Sequence, residues 1–283
     1  MLLSVCIPTY NRGERVLSLL KFLSSEIDGN DFFDDIEILI SDNCSTDDTQ
    51  HVISEYKKDT DFFVYHRNEE NLGLIGNLHK LVELSKGKYV WFMGDDDIYH
   101  KGILKRVYNE LSKEDICYLF INHCAYVNHI GDGTGFASAI PDNVLRKKHL
   151  TLDSLLSIFN HSGTSLMFIS TSVYNRNTLS HCVYPELDNL ALPLFWSFYC
   201  ASKGSIHIIP EVMVENKWGA ISWSSEKKAI FEEYIPNIFK QLSKLGYNYL
   251  LTKFSILWFK YQRSTFHGHL RGIKHRICKS VLK

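Results

Sequence analysis

The sequence predicts an α/β protein built on a mostly parallel sheet, and three observations carry that prediction. Short apolar runs alternate with segments of helical periodicity from Leu2 to Phe92. Three of the four apolar runs end in a conspicuous polar stretch, as strands do when they deliver residues to a ligand. The chain has 283 residues, 45% of them hydrophobic and 22% charged, so it can fill a core on both faces of such a sheet.

Taken in order, Leu2 to Pro8 reads as a buried strand followed by the polar loop Thr9-Tyr10-Asn11-Arg12-Gly13. Val16, Leu19, Leu20, Leu23 and Ile27 then recur at helical spacing. A second strand, Ile36 to Ile40, runs into Ser41-Asp42-Asn43-Cys44-Ser45-Thr46-Asp47-Asp48. Ser45 or Thr46 is the expected N-cap of the next helix, with Asp47 and Asp48 in its first turn. A short strand is expected over Phe62 to Tyr65. A helix from about Leu74, burying Leu74, Leu78, Leu81 and Val82, is expected to end at Gly87 as its C′ residue. Tyr89 to Met93 forms the fourth strand, and Gly94 turns it into Asp95-Asp96-Asp97.

This β-α-β-α-β-α-β order implies parallel pairing with crossovers, which brings Pro8 to Arg12, Asp42 to Asp47 and Asp95 to Asp97 into one cleft. Three adjacent carboxylates at the end of a buried strand repel one another and need compensation, and a divalent cation such as Mn²⁺ or Mg²⁺ suits hard oxygen ligands. The alternative is that Asp96 or Asp97 caps a helix starting near His100 or Lys101. Asp42 is placed to accept a hydrogen bond from a nucleobase imide, and Tyr10 to stack on that base; an Asx turn and rim packing are the competing readings. No G-x-G-x-x-G follows the first strand and no G-x-x-x-x-G-K-[ST] occurs, which leaves dinucleotide and P-loop sites without their fingerprints.

Four stretches in order carry a resemblance: Cys6-Ile7-Pro8-Thr9-Tyr10-Asn11-Arg12, Ser41-Asp42-Asn43-Cys44-Ser45-Thr46-Asp47, Asn71-Leu72-Gly73 and Gly94-Asp95-Asp96-Asp97. They are similar to the signatures of family-2 glycosyltransferases with the GT-A fold. Arg67 to Gly73 together with Trp91 to Asp97 resembles the abequosyltransferase-like bacterial branch. The resemblance covers roughly the first 110 residues. It implies a Rossmann-like mixed, mostly parallel sheet flanked by helices. It also implies a nucleotide-sugar donor (a UDP-sugar first among them), a divalent metal, and transfer with inversion by a hexosyltransferase-like enzyme. By position, Pro8, Thr9, Tyr10, Arg12, Asp42, Asn71, Asp95 and Asp96 would hold the donor, and Asp97 would be the metal ligand of a D-x-D motif, with Asp95 sharing that role. Two departures stand out: Gly94 where the motif usually begins with an aspartate, and Gly76 where an arginine often precedes the residue matching Asn77.

The second half is expected to hold a helix around Ile103, Val107 and Leu111, a strand over Ile116 to Ile121, and a turn at Gly131 to Gly135. A helix over Leu152 to Phe159, a strand over Ser165 to Ser170 and a helix starting at Asn175 to Thr178 follow. Single-displacement transfer needs a base for the acceptor hydroxyl. Asp188, with Glu186 as the alternative, precedes the apolar helical stretch Leu194 to Tyr199, although the usual adjacent Glu-Asp is absent and an N-cap role competes. Ile206 to Pro210 and Val212 to Val214 read as two strands. Trp218 and Trp223 are candidate linings of a sugar pocket, with core packing as the other reading.

Residues 1–224 are thus expected to form the catalytic domain, its nucleotide half 1–115 and its acceptor half 116–224, with a helical extension over 225–283. Within the extension, His267 to Lys283 holds Arg271, Lys274, Arg276, Lys279 and Lys283 without an acid, and Leu270, Ile273, Ile277 and Val281 on one face. This basic amphipathic segment reads as a membrane-surface helix or as a docked helix with a solvated face. A formal net charge of −1 gives no reason to expect nucleic acid. Seven scattered cysteines without a C-x-x-C pair fit a reducing cytosol, at the inner face of the cytoplasmic membrane if the basic segment binds lipid. The function expected is sugar transfer to a glycan or lipid-linked saccharide in bacterial surface polysaccharide (lipopolysaccharide or capsule) assembly. A non-catalytic sugar-binding module and a sugar nucleotidyltransferase are the alternatives.

Overall fold

A computed structural model describes residues 1–28, 31–127, 137–147, 149–218 and 226–263. Strands Leu3–Thr9 (β1), Ile36–Asp42 (β2), Val64–Arg67 (β3) and Tyr89–Phe92 (β4) pair in parallel in the spatial order β3-β2-β1-β4. Helices Gly13–Ile27 (α1), Thr49–Lys58 (α2) and Gly73–Leu84 (α3) connect them. The chain continues through Ile98–Tyr99 (β5), Ile103–Leu111 (α4), Tyr118–Val127 (β6), Asp142–Leu145 (α5), Leu152–Ser162 (α6), Ser172–Asn175 (β7), Arg176–Ser180 (α7) and Leu192–Ala201 (α8). Ile206–Trp218 (β8), Lys227–Ala229 (α9), Ile235–Leu242 (α10) and Tyr249–Arg263 (α11) complete it. The sheet extends past β4 as β7-β6-β8-β5, with β7 antiparallel to both neighbours, β6 parallel to β8 and β5 antiparallel to β8.

The alternation of strand side chains divides the core into two layers. Val5, Ile7, Trp91 and Met93 face α1 and α4, where Leu19, Leu20, Leu23, Ile103 and Val107 meet them. Cys6, Val90 and Phe92 face the other way, toward Leu78, Leu81, Phe159, Trp196 and Phe239. Every residue of α8 is buried, as a helix apolar on all sides requires. The C-terminal helices pack on this second layer. The Phe159 ring lies 4.7 Å from Phe239 and 5.1 Å from Phe259, and the Tyr247 hydroxyl donates to the Phe198 carbonyl at 2.9 Å.

Several local expectations are corrected. The third strand starts at Val64, because Phe62 and Phe63 pack as rings with Tyr56 instead of extending the ladder. Residues 165–170 fall in two 3₁₀ turns, Gly163–Met167 and Ile169–Thr171, and the strand follows them at Ser172. Ser165 and Thr171 hydroxyls bond to nearby carbonyls there, which favours turns over a ladder. The two expected strands near Pro210 are one strand, β8. The ladder with β6 breaks between Ile209 and Val214, so that Asn122 stands opposite the interruption and donates to the Pro210 carbonyl at 2.7 Å. Gly87 is not a left-handed C′ residue: α3 ends at Leu84, and a Cβ on Gly87 would lie 2.5 Å from the Ser4 nitrogen. Helix α2 starts later than expected, at Thr49; Asp47, rather than Ser45 or Thr46, accepts from the Thr49 amide and hydroxyl. The glycine run at 131–135, Trp223 and the basic segment from His267 lie outside the described residues, as does the side chain of Trp218.

Candidate active site

The end of β1 is shaped by Asn11, whose backbone is left-handed (φ 54°), a conformation asparagine tolerates better than most residues. Its amide donates to Ser45 Oγ at 2.9 Å, and its side-chain carbonyl accepts from the Thr46 amide at 2.8 Å. The loops after β1 and β2 are thereby stitched together. Arg12 follows at the entrance to α1, and Tyr10 projects from the loop, 40% exposed.

At the end of β4 the three aspartates have three different surroundings. Asp95 is buried; Arg12 Nη1 donates to its Oδ1 at 2.7 Å and Thr9 Oγ1 to its Oδ2 at 3.2 Å. Burial pushes its carboxyl above the usual range, and the Arg12 guanidinium opposes that shift. Asp96 is largely exposed and meets Arg12 at 3.3 Å and Arg15 at 3.8 Å. The carboxyl of Asp97 sinks among Gly94, Ser170 and Asn216: Ser170 Oγ donates to Oδ2 at 2.5 Å and Asn216 Nδ2 to Oδ1 at 3.1 Å. Among the described residues no Lys, Arg or His forms an ion pair with it, and burial, with Asp96 adding repulsion, pushes it up to about 7.

Neither Asp96 nor Asp97 caps α4. That helix starts after Gly102, and Glu26 of α1 accepts from the Gly102 amide at 2.7 Å and the Leu104 amide at 3.2 Å. The glycine at position 94 also gains a reason. A Cβ there would stand 2.9 Å from Asp97 Oδ2 and 3.1 Å from Ser170 Oγ, so an aspartate would collide with the pair that holds Asp97. A half-buried carboxylate held by neutral donors fits one edge of a hard cation. Among the described residues no group of three or more His, Cys, Asp or Glu is arranged to hold a metal ion.

Asp42, on β2 opposite Thr9, and Asn71, just before α3, belong to a closed network. Asp42 is fully buried; Ser45 donates to Oδ1 from its amide (2.9 Å) and hydroxyl, Tyr65 donates to Oδ2 at 2.8 Å, and Arg67 stands 3.5 Å away. Because Asp42 has no exposed surface, a nucleobase can reach it only if the surrounding loops move. Asn71 Oδ1 accepts from Asn43 Nδ2 at 2.7 Å and from the Gly73 amide at 2.9 Å, fixing the turn into α3. Asn43, Asn68, Asn77 and Ser41 continue the network beneath it.

Asp188 and Glu186 stand apart from this cluster in every contact the structure records. Asp188 follows the short 3₁₀ turn Pro185–Leu187, is half exposed, and lies 3.1 Å from His79 Nε2 of α3. His79 in turn meets the edge of Trp196 on α8. Asp188 does not cap α8, which begins without a side-chain cap; Asn189 Oδ1 accepts from the Ala191 amide just before the helix. Sequence reading missed Arg15, Ser170 and Asn216. Arg15 has the visible signal of following Arg12 by three residues, close to one helical turn, whereas Ser170 and Asn216 reach Asp97 from 73 and 119 residues away.

The family model for glycosyl transferase family 2 matches residues 4–170. Among curated relatives, the abequosyltransferase RfbV of Salmonella typhimurium is 40% identical over 120 residues, 42% of this chain and 35% of that protein. A GalNAc(5)-diNAcBac-PP-undecaprenol β-1,3-glucosyltransferase of Campylobacter jejuni is 32% identical over 121 residues, 42% of this chain and 37% of that protein. The matched segment thus spans little more than a third of either relative's length. The crystal structure of Staphylococcus aureus TarS 1-349 with UDP-GlcNAc superposes with a TM-score of 0.66 at 18% identity, over 92% of this chain and 71% of that one. The mannosyltransferase PcManGT of Pyrobaculum calidifontis, with GDP-Man and Mn²⁺, gives 0.59 at 13% identity, over 97% and 79%.

Proposed function

Since the chain belongs to glycosyl transferase family 2 and has the GT-A fold, we propose that it moves a sugar, with inversion, from a UDP-sugar to a glycan or lipid-linked saccharide in bacterial surface polysaccharide assembly. The observation that carries the proposal is the meeting of Thr9, Arg12, Asp95, Asp96 and Asp97 at the carboxyl ends of β1 and β4. In the proposed complex, Pro8, Thr9 and Tyr10 cradle the nucleoside, the exposed Asp96 accepts from the ribose, and Asp42 and Asn71 hold the loops behind it. Arg12 fixes Asp95 and keeps the three carboxylates from repelling the donor. Asp97, with Asp95 beside it, would hold Mn²⁺ or Mg²⁺. The chemistry supplied by that ion when bound is neutralisation of charge on the departing diphosphate. The ligands of the superposed structures, UDP-GlcNAc and GDP-Man, support a nucleotide-sugar donor.

Transfer in one displacement forms the bond from the acceptor oxygen to the anomeric carbon as the bond to the diphosphate oxygen breaks. We assign the acceptor's proton to Asp188, with Glu186 two residues away as the alternative base. The basic segment from His267 would bring the enzyme to an anionic membrane face where a lipid-linked acceptor resides.

A screen of UDP-sugars with Mn²⁺ and lipid-linked or free glycan acceptors, read by release of UDP, tests this directly. One donor should be turned over, and both chelator and Asp97→Ala should abolish the release. Donor binding without release under every acceptor would contradict catalysis. Asp188→Asn that leaves turnover intact while Glu186→Gln removes it would move the base to Glu186.

A further inference from the structure

Helix α11 is docked with its amphipathy reversed. The side toward the domain carries Thr252, Ser255 and Phe259, all buried, and among the described residues neither the Thr252 nor the Ser255 hydroxyl has a hydrogen-bond partner. The opposite side shows Leu250 (74% exposed), Phe254 (55%), Leu257 (65%) and Tyr261 (43%). These four recur at i, i+4, i+7 and i+11 and so form one continuous stripe. Trp258 sits at its edge, stacked between Phe254 and Tyr261, and donates its indole N–H to the Asn160 carbonyl of α6 at 3.3 Å, which ties the helix to the domain. Scattered exposed hydrophobes are ordinary, whereas a contiguous aromatic and leucine stripe marks a surface that meets something apolar.

Charge identifies the partner. From Tyr249 to Lys283 the sequence holds eight Lys and Arg and not one Asp or Glu, although the whole chain carries a net charge of −1. Lys253 and Lys260 flank the stripe on the helix itself, and Lys253 Nζ lies over the Tyr249 ring. A second copy of the chain packed stripe to stripe would set these cations against one another with no acid on the helix to pair them. An anionic bilayer answers both features: leucine and aromatic side chains enter the headgroup boundary, and lysines meet lipid phosphates. No helix among the described residues is long and apolar enough to cross a membrane, so the contact is with the surface.

We infer that the outward face of α11 is a docking surface for an anionic lipid bilayer, with the helix lying in the plane of the headgroups. The inference deepens the proposed membrane-facing role, and its test can fail while sugar transfer stands, because UDP release is measured on the same samples in solution. The full chain is floated with vesicles of phosphatidylcholine, with and without phosphatidylglycerol. The wild type should rise with the anionic vesicles and much less with the neutral ones. The variant Leu250→Ser/Phe254→Ser/Leu257→Ser should partition at least about tenfold more weakly while keeping its melting temperature and UDP release. A second variant, Lys274→Gln/Arg276→Gln/Lys279→Gln, should weaken binding yet leave a component that the serine substitutions remove. Flotation of the serine variant equal to wild type overturns the inference, as does a wild type that ignores phosphatidylglycerol. A change from dimer to monomer in sedimentation, without flotation, would assign the stripe to a second copy and overturn it as well.

Discussion

Asp97 brings a negative charge to a place where its hydrogen-bond donors are a hydroxyl and an amide, not a cation. Burial raises its pKa from 3.8 to about 7, and the bonds from Ser170 and Asn216 only partly oppose the shift. The folded-state value lies above the unfolded one, so this group's contribution to stability is fully present below pH 3.8 and is lost as pH rises through about 7. Two outcomes follow for thermal melts. Without metal, Asp97→Asn should raise the melting temperature at about pH 8 and change it little at about pH 4. For the wild type, Mn²⁺ should stabilise more at about pH 8 than at about pH 6, because a cation needs the deprotonated carboxylate. Equal Mn²⁺ shifts at both would argue against Asp97 as a ligand. Gly94→Ala, which sets a Cβ 2.9 Å from Asp97 Oδ2, should weaken UDP binding by about tenfold in calorimetry. The three adjacent carboxylates were legible in the sequence as a charge problem. Their solutions were not, since Ser170 and Asn216 come from distant turns and strands that only the fold brings near.

Elements whose pattern is set by local periodicity were readable, and those set by partners were not. β1, β2 and β4 are buried on both faces and announce themselves as apolar runs. β3 lies at the sheet edge and consists of Val64, Tyr65, His66 and Arg67, so the apolar signal pointed instead to the neighbouring phenylalanines. β5 has two residues and exists because Ile98 and Tyr99 meet β8, which no local pattern shows. Pro210 reads as a strand break, but Asn122 bridges the interruption and β8 continues. Gly87 is the clearest case of a right residue given a wrong reason: it permits close approach of the chain to β1 and not a left-handed cap. Gly87→Ala should therefore destabilise the protein by about 3 kcal/mol or more, read from the urea midpoint, because the atoms it would meet are backbone. A neutral outcome would mean that the β1–α3 junction yields more easily than a backbone contact of 2.5 Å implies.

At the scale of the molecule, the parallel half of the sheet gathers Thr9, Arg12 and the three aspartates at the carboxyl ends of β1 and β4, and the β7-β6-β8 half supplies Asn216 and, just before β7, Ser170 to the same point. The parallel half of the sheet was predictable because parallel α/β topology places strand ends together whatever the side chains do. The second half of the chain depends on the turns between β6 and α8, where short segments answer to tertiary contacts such as His79 with Asp188 and Trp196. The claim on which the proposed function rests is that Asp97 takes part in metal-dependent nucleotide binding. Calorimetric titration of UDP into the full chain tests it most directly, with Mn²⁺, with chelator, and with Asp97→Ala. The account predicts binding by the wild type in Mn²⁺ that falls at least about tenfold both with chelator and in the variant. UDP affinity that is the same in all three would contradict it.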